Sequence, residues 1–148
     1  GNLSDEVFAD RIGELVDSKE GARGFFVISL SGDCPLMDRL PDPIIFQLRK
    51  AGDLVVEITV KNLVMSSAMI VEHKRNKNLN LLSGSKKISR RCIELLRLLE
   101  PNKVKTQLEI VLEGTKGEGD FAPFLQRWKY DKEQLIEIAR YINSVPTN

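Results

Sequence analysis

The chain has 148 residues, 42% hydrophobic and 29% charged, which is enough to bury a core without disulfide or metal staples and unlike a disordered or fibrous composition. A formal net charge of +1 excludes a global field that draws in nucleic acid or a membrane, so any electrostatic attraction is local. Two cysteines, Cys34 and Cys92, show no metal-type spacing, and a reduced, cytoplasmic protein is expected.

Length favours one globular domain over 1–148, with an ordered core over roughly 4–145. No apolar run approaching about 18 residues stands out, so no membrane span is predicted. The chain opens on Gly1-Asn2 without a methionine, which points to a trimmed start.

Ser4 can cap a first helix carrying the apolar stripe Leu3, Val7, Phe8, Ile12, Leu15 and Val16. Residues 5–20 hold six acids against two bases, an acidic face that is either solvated or a dock for a basic partner. Gly21 and Gly24 close that segment. Residues 24–31 are aromatic and β-branched and read as a buried strand. A loop with two prolines and three aspartates follows. Asp42 is expected to cap a short helix with Pro43 first and Gly52 just past its end.

From Leu54 to Lys61, Leu54, Val56, Ile58 and Val60 alternate with Glu57, Thr59 and Lys61, as in a half-buried strand. Residues 63–73 fit a buried helix capped by Asn62 better than another strand. Residues 85–99 form a helix, with Ile88, Cys92, Leu95, Leu96 and Leu99 on one face. Val104–Glu113 alternates again and reads as the best strand. Asp131 and Gln134 have capping-box spacing ahead of a last helix that ends near Ser144.

Two of the three strands are polar on one face, unlike a doubly covered parallel sheet. The expected fold is therefore α+β: a two-layer sandwich with a small antiparallel or mixed sheet of at least three strands. Four or five helices would lie mainly on one face.

The chemistry concentrates between Glu72 and Arg91, where seven bases meet one acid and the rest of the chain is net negative. In a helix starting at Ser85, the bases crowd the positive end of the helix dipole, a conflict that an anion would remove. Free N–H groups there, with Ser83, Ser85, Lys74, Arg75, Lys86, Lys87, Arg90 and Arg91, form a candidate anion site. The alternative is that these bases pair with the protein's own acids. The spacing is not that of a P-loop, and the aromatics that stack single-stranded nucleic acid are missing from this window.

Elsewhere the chemistry is sparse. Residues 115–130 hold Trp128 and Tyr130 behind a glycine-rich loop, either a cover packed on the core or a partner-binding edge. His73 is the single histidine, which excludes multi-histidine metal sites. A Cys34–His73 pair would need hydrogen-bond reach that the spacing does not require. Asp33, Asp38 and Asp42 share a loop but have turn and cap roles; no metal or cofactor is expected, and no catalytic motif is present.

The preferred reading is a non-catalytic binding or regulatory domain whose basic helix N-terminus takes an anionic ligand or acidic protein surface. Nucleic acid fits it weakly, and a membrane is not expected. Two alternatives remain. One is an assembly module, self-associating through the open sheet face (Glu57, Thr59, Lys61, Lys105, Gln107, Glu109) or the Trp128 segment. The other is a small enzyme acting on a phosphorylated or acidic substrate.

Overall fold

The computed structural model describes residues 3–32 and 35–146, with side chains from Glu6 onward. The helices are α1 (Leu3–Leu15), α2 (Lys19–Ser31), α3 (Asp42–Lys50), α4 (Asp53–Arg75), α5 (Leu79–Leu96), α6 (Pro101–Thr115), α7 (Ala122–Arg127) and α8 (Lys132–Asn143), with a 3-10 turn at Pro35–Asp38. There is no strand among the described residues, so the expected α+β sandwich is overturned in favour of an all-helical fold.

Each predicted strand is part of a helix, for a physical reason. Residues 54–61 belong to α4, the axis of the molecule, against which α2, α5, α6 and α8 all pack. Val55, Val56, Ile58, Thr59 and Val60 are all buried. A helix covered on several sides buries side chains at every angle, and its 3.6-residue period disappears. The helix penalty of β-branched residues is only about 0.5 kcal/mol each, and tertiary burial outweighs it. In α2 the buried side chains are Ala22, Phe26, Ser29 and Leu30, a helical stripe. Val27 and Ile28, 66% and 74% exposed on the other side, disguise that stripe as a continuous apolar run. In α6, Val104, Leu108 and Val111 are buried at helical spacing, and Pro101 occupies the first turn as helix starts favour.

Several starts and stops shift as well. Asn62 caps nothing: it lies inside α4 and donates from Nδ2 to the Ile58 carbonyl at 2.9 Å. A new helix begins at Lys19, where the Ser18 hydroxyl accepts from the Gly21 N–H. Pro41, not Asp42, is the cap residue of α3. The capping box of Asp131 and Gln134 is formed as expected, and α8 hands over to Ser144.

By length and composition α4 could cross a membrane, with a mean hydropathy of 1.7 over an 18-residue window, of which 61% is buried inside the bundle. The sequence reading missed that run because Thr59, Lys61, Asn62, Ser66 and Ser67 interrupt it to the eye. Of those residues, Ser66 reaches across the α4–α5 seam and Ser67 bonds within α4. The Ser66 and Ser89 hydroxyls meet at 2.7 Å, and the Ser67 hydroxyl donates to the Leu63 carbonyl at 2.6 Å. Small side chains let the two helices approach, and each of these hydroxyls is satisfied.

Arginines tie the helix ends together. Arg97 donates to the Ser144 and Val145 carbonyls at 2.7 and 2.9 Å, just past α8. Arg49 donates to the Leu98 carbonyl just past α5 at 2.6 Å. Orphan carbonyls at a helix C-terminus carry partial negative charge, and a guanidinium satisfies them directly. The α4–α5 and α7–α8 turns both use a left-handed lysine, Lys77 and Lys129, each at φ 55°. In the first, the Asn78 N–H returns to the His73 carbonyl at 3.0 Å, closing a Schellman motif that normally takes glycine.

Candidate functional site: the basic face of α5

Asn78 accepts from the Leu81 N–H at 3.1 Å and starts α5 at Leu79, six residues earlier than the sequence suggested. Ser85–Ile88 are therefore helix interior, and their N–H groups are not the free donors expected of an anion site. The dipole conflict also disappears, because that field fades within the first turn and the paired bases sit in the third and fourth. Glu100 stands at the N-cap position of α6, where a negative charge is favourable.

The negative charge facing these bases comes largely from the protein itself. Arg91 is only 2% exposed. Its Nη1 donates to the carbonyls of Ser29, Leu30 and Gly32 at 3.0, 3.0 and 2.8 Å, the open C-terminal end of α2. Its Nε and Nη2 grip both oxygens of Asp38 at 3.1 Å. Arg90 adds a 3.2 Å contact to Asp38, and Lys87 reaches the Gly32 carbonyl at 3.4 Å. The Arg91 guanidinium, with Arg90 beside it, lowers the Asp38 pKa from 3.8 to about 2.

The eight candidate residues divide into three groups. Lys74 and Arg75 end α4, and Arg75 is bound to Asp131 at 2.7 Å and Glu133 at 2.8 Å. The pull of these two carboxylates raises the Arg75 pKa further, and Arg75 in turn lowers that of Asp131. Ser85 and Arg91 are buried on the inner side of α5. Ser83, Lys86, Lys87 and Arg90 come together on its outer side with Leu79 and Leu82, around an open depression of about 450 Å³.

At 100° per residue, Leu79, Leu82, Ser83, Lys86 and Arg90 recur at i, i+3, i+4, i+7 and i+11, one outward stripe. Leu79 is 75% exposed, which a leucine left to water does not favour. Sequence reasoning missed Leu79 and Leu82 because it placed the helix start after them. Running the stripe Cys92, Ser89, Ser85 backward reaches Leu81, and Asn78 then stands as the cap.

The other candidate chemistry is dispersed or undescribed. Asp33 and Cys34 lie outside the described residues. His73 is buried in the last turn of α4, and Cys92 is fully buried on the core side of α5, where burial pushes its thiol pKa up. Among the described residues, no three His, Cys, Asp or Glu side chains gather as a metal site. Phe121 and Leu125 pack into the core while Trp128 is 51% exposed, so the aromatic segment is part cover and part surface. An apolar groove of about 500 Å³ runs between α6 and the ends of α5 and α8, walled by Leu96, Leu99, Val104, Leu108 and Ile142.

A family model described as "Uncharacterised conserved protein UCP020893" matches residues 1–145. No curated protein and no solved structure matches the chain.

Proposed function

The chain belongs to that family, and we propose that it is a non-catalytic binding or regulatory module that docks an acidic protein surface on the outer stripe of α5. One observation carries this reading. Leu79 and Leu82 stand exposed or half-exposed among Lys86, Lys87 and Arg90, and no acid occurs from His73 to Ile93. Lys86, with no internal partner among the described residues, and Arg90, whose side chain stays 56% exposed beside Asp38, supply attraction and orientation, and the leucines supply burial. An acidic helix with its own apolar side is the complementary shape. A bare phosphate would use the bases and leave the leucines wet. The sheet-face version of the assembly alternative falls with the sheet.

The probe is a fluorescein-labelled peptide with glutamates and leucines at helical spacing, followed by anisotropy. Leu79→Ser combined with Lys86→Glu is expected to weaken binding at least about tenfold, or about 1.4 kcal/mol. Added salt is expected to weaken the wild type. Equal affinity of the variant and the wild type would refute the reading. Reversing Arg90 and Arg91 is the wrong test, because Arg91 holds α2 and its loss would confound binding with unfolding.

A further inference from the structure

The acidic face of α1 supplies a partner of the required chemistry, and this inference rests on the α5 reading above. Glu6, Asp10 and Glu14 are exposed along α1. The same helix exposes Val7, Phe8 and Leu15 at 51%, 49% and 45%. By helical angle Val7, Asp10 and Glu14 recur at i, i+3 and i+7 along one exposed edge, while Phe8 and Leu15 lie on the flank between Arg11 and the buried Ala9, Ile12 and Val16. Asp10, Glu14 and Asp17 also border an open groove of about 460 Å³ against Gln47 and Lys50 of α3. No ion pair joins α1 to α5 among the described residues, and α1 packs instead on α2 and α3.

One copy of the chain therefore presents two exposed faces of opposite charge, each carrying exposed apolar side chains. We propose that the occupant of the α5 stripe is a second copy of this chain, whose α1 lies across it. Val7 would cover Leu79 and Leu82, while Asp10 and Glu14 would face Lys86 and Arg90. Like-charge contact disfavours the alternatives of α1 on α1 and α5 on α5. The two patches differ, so the contact is heterologous. A net charge of +1 gives two copies almost no overall repulsion to overcome.

Light scattering on the full chain tests this. The wild type is expected to be larger than a monomer at low salt and to dissociate as salt is added; this arm requires no variant. Asp10→Lys with Glu14→Lys on one chain, and Leu79→Ser with Lys86→Glu on another, should each give a monomer with unchanged helical circular dichroism. Mixed together, they should form a two-copy complex, because each retains the face the other has lost. A wild type that stays monomeric at low salt and high concentration overturns the inference. In that case the glutamate–leucine probe separates the two claims: binding lost only in the Leu79/Lys86 variant keeps the α5 reading, and binding lost in neither removes both. Association that survives both variants overturns the inference too. So does a monomeric wild type that sediments with phosphatidylserine vesicles through the same two residues, since the occupant would then be a lipid surface.

Discussion

Arg91 and Arg75 are both arginines that grip carboxylates, and they do different jobs. Arg91 is buried, and one guanidinium satisfies three carbonyls of α2 and both oxygens of Asp38. Arg75 has a 40% exposed side chain and binds Asp131 and Glu133 in water. A buried guanidinium has no solvent to replace a lost partner, and neither do the carbonyls it leaves behind. An exposed pair has water on both sides and is screened by salt. Sequence shows two basic residues in a basic stretch; burial decides that one is part of the core and the other is trim.

The largest effect that would break this comparison is at Arg91. Arg91→Met keeps the bulk and removes the donors, and it is expected to cost about 3 kcal/mol in urea unfolding. If that loss is no larger than the one for Arg75→Ala, the distinction fails. Next comes Asp38. Its pKa is depressed in the fold, so its contribution is present above the ordinary carboxylate range and disappears as pH falls from about 4 to about 2. Asp38→Asn should flatten the acid limb of a stability–pH profile; an unchanged limb would contradict the pairing. Arg75→Ala should show a smaller loss that high salt largely erases, and a salt-independent loss would mean the pair is more enclosed than its exposure indicates. The smallest stability effect belongs to the outer stripe: Leu79→Ser with Lys86→Glu should shift stability by within about 0.5 kcal/mol, leaving binding as its main readout.

The same contrast of inside and outside shows what could be read in advance. The core face of α5 was legible because Cys92, Leu95, Leu96 and Leu99 all point one way against a polar far side. The end of the chain was legible because Asp131 and Gln134 act locally, through backbone within three residues. The first half of α4 was not legible, because it is surrounded and a surrounded helix has no period to detect, whereas residues 63–73 were expected to be a buried helix and are one. α2 was obscured for the opposite reason: Val27 and Ile28 are apolar on a side that faces out. The basic stretch stood out in the sequence, and compensating negative charge from the protein's own acids was one of the two readings it left open. Its source was invisible, since Asp38 and the α2 carbonyls lie more than fifty residues away from Arg91 in sequence and backbone carbonyls leave no mark in composition.

Outer and inner α5 separate most directly in a low-salt anisotropy titration of the glutamate–leucine probe, run on the wild type and on Leu79→Ser/Lys86→Glu with their unfolding midpoints measured alongside. The variant is expected to bind at least about tenfold more weakly at an unchanged midpoint. Equal affinities at equal midpoints would contradict it and leave the basic face of α5 as solvated surface.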